Sequence, residues 1–102
     1  MGQHRSHGEP LRKGRISLKL TVRDSHNRNA VEYATLLLKK GKNRQFSGIT
    51  DEKGSHTFLS IPKGDYELTV TSLGYKSRTI DLHARRDTTL TIFLLSNDIA
   101  MQ

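Results

Sequence analysis

The chain has 102 residues, enough for one domain of ordinary size, and 17 Lys and Arg against 10 Asp and Glu give a formal net charge of +7. No apolar run approaches the ~20 residues that a membrane-spanning helix needs, and no segment has the composition of a secretory signal. The absence of cysteine excludes a disulfide scaffold, a thiol nucleophile and a Cys-ligated metal site.

Seven short strands are predicted along the chain. In the first, Ile16, Leu18, Leu20 and Val22 alternate with polar residues, a period of two that is typical of a half-buried strand. Residues 1–14 precede it, contain three Gly and one Pro, and are predicted to form a disordered tail. In chain order the strands are predicted over residues 16–23, 32–38, 45–50, 55–61, 65–72, 76–83 and 88–95.

Turn signals separate these strands. Asp51 and Gly54 occupy the first and fourth positions that are favoured in a type I turn. Pro62 and Gly64 mark the next reversal, because Pro restricts φ to a turn value and Gly tolerates positive φ. Gly74 marks the reversal after that. These five residues are therefore assigned to structural turns.

The spacing of strands and turns predicts the fold class. Seven strands with turns every ~8–12 residues, and no convincing helical pattern, are typical of an all-β fold, a seven-stranded antiparallel Greek-key β-sandwich. The sandwich domain is predicted over residues 15–95, followed by a tail or interdomain linker over residues 96–102. The alternation within the strands predicts a core made mostly of Ile16, Leu18, Leu20, Val22, Phe58, Tyr66, Leu68, Val70, Ile80, Leu82, Leu90 and Ile92.

Several short motifs recur in the order of a known family. They are Val22-Arg23-Asp24, Thr50-Asp51-Glu52-Lys53-Gly54, Phe58, Ile61-Pro62-Lys63-Gly64-Asp65-Tyr66-Glu67-Leu68 and Gly74-Tyr75. Through them, residues 21–95 resemble the carboxypeptidase regulatory-like family, also called the peptidase-associated domain. The resemblance implies a transthyretin-like (prealbumin-like) sandwich in which each motif has a structural role.

The segment Tyr33-Ala34-Thr35 is most similar to versions carried at the N-terminus of Bacteroidetes TonB-dependent outer-membrane receptors. This resemblance implies a non-catalytic accessory domain, the N-terminal periplasmic extension of such a receptor, with a role in nutrient uptake and transport. The alternative is an adhesion or carbohydrate-binding module of a larger surface protein. That alternative requires an exposed aromatic platform, for which Tyr33, Tyr75 and Phe93 are the candidates.

No set of residues has the spacing of a catalytic or metal site. His4 and His7 share a spacing that can hold a metal, but no carboxylate or third His accompanies them. The pair Asp51-Glu52 is better explained by the turn than by calcium. Hydrolases of 5-hydroxyisourate with this fold end in Tyr-Arg-Gly-Ser, whereas this chain ends Asp98-Ile99-Ala100-Met101-Gln102. We therefore expect no enzymatic activity, metal or cofactor.

The positive charge is concentrated in residues 1–44, which carry 11 Lys and Arg against 3 acidic residues. Lys39, Lys40, Lys42 and Arg44 lie on one short segment between two strands and form a possible patch for an anionic partner. A solvated loop explains the same residues. We expect a monomer that contacts a protein partner by edge-strand pairing or through this loop, and a membrane only through a parent receptor. No nucleic acid is expected, and a basic nucleic-acid or anionic-surface binder is the weakest option.

Overall fold

The computed structural model describes residues 14–97, which form seven strands and no helix. The strands form two sheets, with the orders β4-β1-β7 and β3-β2-β5-β6. The all-β, transthyretin-like sandwich predicted from the sequence is confirmed, whereas the predicted disordered tail, apart from Gly14, and residues 98–102 lie outside the described residues. The strands are β1 (Arg15–Asp24), β2 (Thr35–Lys40), β3 (Arg44–Ile49), β4 (Ser55–Pro62), β5 (Gly64–Thr71), β6 (Arg78–Ala84) and β7 (Thr88–Leu94).

The second strand begins later than the sequence pattern predicts. It was expected from residue 32, but β2 starts at Thr35 because Tyr33 has a φ of 60°, a left-handed conformation that interrupts an extended strand. Val31 and Ala34, on either side of this turn, are nevertheless buried, at 4% and 0% exposure. The predicted strand therefore starts too early, and the predicted core omits Val31 and Ala34, which are buried.

One strand pair corrects the expectation of a fully antiparallel sandwich. All the hydrogen-bonded pairs are antiparallel except β1 and β7, which are parallel from Leu18 opposite Thr88 to Asp24 opposite Leu94. Because β1 and β7 run in the same direction, β1 begins at one end of the sandwich and β7 finishes at the other. We call these the entry end, where β1 starts at Arg15, and the exit end, where β7 finishes at Leu94.

The core lies between the two sheets, and most of the predicted core residues are buried there. Three of them, Ile80, Leu82 and Leu90, are only half-buried and pack against the margin of the core. The reason is topological, since β6 and β7 are both edge strands and no other strand of residues 14–97 covers their side of the sandwich. The nine that are buried are Ile16, Leu18, Leu20, Val22, Phe58, Tyr66, Leu68, Val70 and Ile92.

Candidate functional site

The motif residues at the exit end hold its loops together. Asp24 is 6% exposed, and its Oδ1 accepts hydrogen bonds from the backbone N–H groups of His26 (2.7 Å) and Asn27 (3.1 Å). Tyr75 donates its hydroxyl to Asp24 Oδ2 at 2.8 Å. The bond from Tyr75, followed by those from Asn27 and His26, lowers the pKa of Asp24, because each bond favours the ionised carboxylate. Gly74-Tyr75 and Asp24 therefore tie two loops together in a structural role.

This contact predicts an acid-dependent contribution to stability. Because the folded-state pKa of Asp24 lies below its unfolded value, its contribution is fully present above the unfolded pKa and is lost as pH falls through the folded pKa. Tyr75→Phe removes the hydroxyl bond, and we expect a lower melting temperature at neutral pH and a gap from the parent protein that shrinks below about pH 4. Thermal unfolding from neutral to acidic pH measures both, and a gap that is the same at every pH contradicts the assignment.

The Thr50–Gly54 motif organises a second turn at the exit end. Asp51 Oδ1 accepts the N–H groups of Lys53 and Ser55, both at 2.9 Å, and the bonds from Ser55 and then Lys53 lower the pKa of Asp51. Gly54 donates its N–H to the Asp51 carbonyl at 2.9 Å, which closes the predicted turn. Within residues 14–97, no three His, Asp or Glu side chains are grouped closely enough to hold a metal ion. Asp51 is thus occupied by the turn.

Thr50 has a role that sequence reasoning did not identify. It is 1% exposed, and its hydroxyl donates to the Val31 carbonyl at 2.7 Å and accepts the Ala34 N–H at 2.8 Å. Both backbone groups belong to the irregular segment before β2, where no strand partner satisfies them. The only sequence signal was the position of Thr50 at the start of the motif. Buried backbone polar groups need hydrogen-bond partners, and the Thr50 hydroxyl supplies those that a neighbouring strand would otherwise provide.

The predicted turns at Pro62, Gly64 and Gly74 also have structural roles. Tyr66 donates its hydroxyl to the Pro62 carbonyl at 2.6 Å, and Gly64 has a φ of 149°, where side chains are disfavoured. Gly74 accepts the Asn97 N–H on its carbonyl at 2.8 Å, which fastens the exit of the chain to the β5–β6 connection. These turns hold the fold together, and their residues are not arranged for chemistry.

The predicted patch on the β2–β3 hairpin is divided between two faces. Lys40 pairs with Arg44 across the hairpin, and Lys42 is exposed in the turn between them. Lys39 is one position along β2 and so points to the opposite face, where it lies opposite Glu67 of β5. The half-buried Lys40 side chain packs against Gly64. The four residues share one hairpin without forming one surface.

The tertiary structure joins this hairpin to basic residues that are distant in sequence. Arg15 lies opposite Pro62 in the β1–β4 pair, and Lys63 donates its N–H to the Gly14 carbonyl at 2.8 Å. The β6–β7 turn reaches the same place, since Arg85 Nη2 is 3.3 Å from Asp65 Oδ1 at the start of β5. We define the basic end as the basic side chains at the entry end, namely Arg15, Lys40, Lys42, Arg44, Lys63, Arg85 and Arg86.

The charge of the basic end is poorly compensated. Asp65 and Asp87 lie at the same end of the sandwich, and Asp65 Oδ1 lies 2.8 Å from His83 Nδ1. His83 first, and then the positive charge of Arg85, lower the pKa of Asp65. Among residues 14–97, the only basic and acidic side chains within 4.0 Å of each other are His83 with Asp65 and Arg85 with Asp65. Asp87 accepts the Ser17 N–H at 2.9 Å instead. Among residues 14–97, Arg85 is the one member of the basic end with a carboxylate oxygen within 4.0 Å, and Lys40 acts on Asp65 through its charge alone.

The second candidate surface is the side of the sandwich along β6 and β7. Among the strands of residues 14–97, β7 has β1 on one edge and none on the other, and it contains no charged residue. The carbonyl of Phe93 points to this free edge, where Arg78 donates to it at 2.9 Å. Strand alternation then directs the backbone groups of Thr89 and Thr91 to the same edge. Half-buried Leu90 lies between them.

The aromatic residues do not form the platform that carbohydrate binding requires. Tyr75 is half-buried and held by Asp24. Phe93 is 37% exposed, and the guanidinium carbon of Arg28 lies 5.7 Å from its ring centroid. Of the three candidates, only Tyr33 is largely exposed, at 70%.

No helix within residues 14–97 is long and apolar enough to cross a bilayer.

Comparison with protein families and solved structures places this geometry among known domains. The family model described as carboxypeptidase regulatory-like domain matches residues 17–95. A search of curated proteins finds no match. Among solved structures, the chain is similar to BcpA, the major pilin subunit of Bacillus cereus, with 25% identity and a TM-score of 0.67 over 81% of this chain and 30% of the pilin. The chain thus spans less than a third of that relative.

Two enzymes of low sequence identity share the fold. The Klebsiella pneumoniae 5-hydroxyisourate hydrolase has 18% identity and a TM-score of 0.64, over 79% of this chain and 85% of the hydrolase. The catechol 1,2-dioxygenase of Pseudomonas arvilla C-1 has 12% identity and a TM-score of 0.66, over 80% of this chain and 52% of the dioxygenase. Because fold similarity at this identity carries no chemistry, these two show the sandwich alone.

Proposed function

The chain belongs to the carboxypeptidase regulatory-like domain family, and on that basis we propose that it is a non-catalytic accessory domain that works by contact within a larger protein. The observation that carries the proposal is the open side of the sandwich along β6 and β7. There an uncharged strand edge lies beside apolar side chains that the fold leaves half-buried. The polar clusters described above are used to hold turns and loops, which supports a non-catalytic role.

The direction of the first and last strands supports insertion into a longer chain. Because β1 and β7 are parallel, the chain enters at Arg15 and leaves beyond Leu94 at opposite ends of the sandwich. The points at which a longer chain would join the domain therefore lie at its two ends. The domain acts as an in-line unit that presents the free edge of β7 to a partner.

Strand addition is the contact that this edge favours. An extended segment of a protein partner can pair with the outward backbone groups of Thr89 and Thr91. Its alternate side chains then cover Ile80, Leu82 and Leu90, which removes apolar surface from water. The affinity arises from main-chain hydrogen bonds and apolar burial together.

The cellular context of the proposal is the N-terminal periplasmic extension of a TonB-dependent outer-membrane receptor for nutrient uptake. Its support is the motif pattern from Thr50 to Leu68 and the Tyr33-Ala34-Thr35 segment. The second candidate is a module of a surface adhesin, and the similarity to the pilin subunit favours it. The absence of a shared aromatic platform disfavours carbohydrate binding within that second candidate.

Variants of the full-length protein in its natural host test the proposal. Deleting residues 15–95 is expected to leave the receptor in the outer membrane but to reduce growth on the transported nutrient. Thr91→Pro should produce the same loss, because it removes an outward N–H from the β7 edge, where proline is tolerated by the fold. Growth rate and membrane fractionation measure the two effects, and thermal unfolding of the isolated domain checks that the variant folds.

Thr91→Ser is the matched control, because it keeps the backbone N–H and a small hydroxyl side chain, and it should grow like the parent. If the deletion impairs attachment of cells to surfaces and leaves uptake intact, the adhesin candidate replaces the receptor. If Thr91→Pro folds and behaves like Thr91→Ser, contact at the β7 edge is excluded.

A further inference from the structure

The basic end concentrates charge in a way that stability does not explain. Four separate parts of the chain contribute to it, namely the start of β1 and the β2–β3, β4–β5 and β6–β7 connections. All its members except Lys40 are exposed. Like charges gathered at one end of a domain repel one another and oppose the compact state. Folding stability therefore does not account for their convergence.

The shape of the entry end disfavours a small anionic ligand. A groove of about 500 Å³ opens beside the basic end, and Lys39 contributes to its wall. The carboxylates of Asp65, Glu67 and Asp81 also line it, and they repel an anion. None of the seven side chains of the basic end lines this groove.

The aromatic residues near the basic end disfavour single-stranded nucleic acid. Phe46 is half-buried, Tyr66 is 3% exposed, and their ring centroids pack 6.3 Å apart within the structure. Tyr66 is too buried for a base to stack on it, and Phe46 uses part of its surface to pack against Tyr66. Base stacking on exposed aromatic rings supplies much of the affinity for single strands. A contact at the basic end would then depend on charge distributed over an area.

We propose that the basic end docks on the surface of a membrane rich in anionic phospholipid. Basic residues from four parts of the chain, spread over the end of both sheets, match a plane of negative charge better than a rod-shaped polyanion. Each Lys or Arg close to such a surface adds to the binding free energy without a defined partner geometry. This fits the members of the basic end other than Arg85, which have no carboxylate oxygen within 4.0 Å among residues 14–97. Lys42, Lys63 and Arg86 are exposed in three different connections, and we expect them to make this contact.

The basic end is a different surface from the β7 edge, so membrane docking and strand addition can be tested independently. Its test is flotation of the isolated chain with vesicles of phosphatidylcholine containing about a third phosphatidylglycerol, compared with phosphatidylcholine alone. We expect binding to the anionic vesicles only, lost between about 0.1 M and about 1 M salt as the screening length falls from ~10 Å to ~3 Å. Binding to neutral vesicles, or no binding to either, overturns the proposal.

Two triple variants of equal net charge locate the surface. Lys42→Glu, Lys63→Glu and Arg86→Glu together should weaken vesicle binding at least tenfold. Lys19→Glu, Lys53→Glu and Lys76→Glu make the same change of charge at exposed sites away from the basic end and should weaken binding no more than twofold. Equal losses would mean that net charge alone drives binding and would overturn the assignment. Parallel titration with duplex DNA is the remaining arm, and tighter binding to DNA than to anionic vesicles also overturns it.

Discussion

Leu68→Ala is expected to lower the free energy of unfolding by about 2–5 kcal/mol. Leu68 is fully buried in the middle of β5, opposite Leu38 of β2 on one side and Ile80 of β6 on the other. Truncation removes apolar surface from the core and leaves a cavity that the paired strands on both sides cannot close. Urea unfolding followed by circular dichroism measures the change.

The matched control for this prediction is Leu73→Ala. Leu73 is 99% exposed in the β5–β6 connection, and the same truncation there should change stability by less than about 0.5 kcal/mol. Equal losses of unfolding free energy for Leu68→Ala and Leu73→Ala would contradict the burial of Leu68 in the sandwich.

Gly54→Ala is expected to cost about 3 kcal/mol or more, for two reasons that add. Gly54 has a φ of 78°, which costs a residue with a Cβ about 1–3 kcal/mol. A Cβ built on Gly54 also lies 2.6 Å from the Val22 carbonyl oxygen, so the backbone must shift. That shift weakens the 2.7 Å hydrogen bond from the buried Val22 N–H to the Gly54 carbonyl.

Gly41→Ala separates the cost of the positive φ from the cost of the contact with the Val22 carbonyl oxygen. Gly41 has a similar φ of 65°, but nothing lies within 4 Å of an added Cβ, so only the backbone cost applies. Thermal and urea unfolding should therefore show that the Gly54→Ala variant is much less stable than the Gly41→Ala variant. Equal stability of the two variants would show that the contact with Val22 is not constraining.

The sequence by itself determined the fold class, the number of strands and most of the core. Alternation in β1 and β5 requires one face of each strand to be buried, and that requirement is local to each strand. The turn at Asp51 was also readable, because its side chain bonds its own near neighbours. The β2 start was not, since the left-handed Tyr33 depends on hydrogen bonds to Thr50, which is distant in sequence.

Only the tertiary structure decided which surfaces the domain presents. Local patterns do not specify strand order, so Ile80 and Leu90 were predicted to be buried although both lie on edge strands. For the same reason, the sequence showed that the β2–β3 hairpin is basic but not that Arg15 and Arg86 lie at the same end of the sandwich. Strand neighbours are chosen by packing between segments far apart in the chain, and that choice alone brings separate charges to one end and leaves one side of the core open.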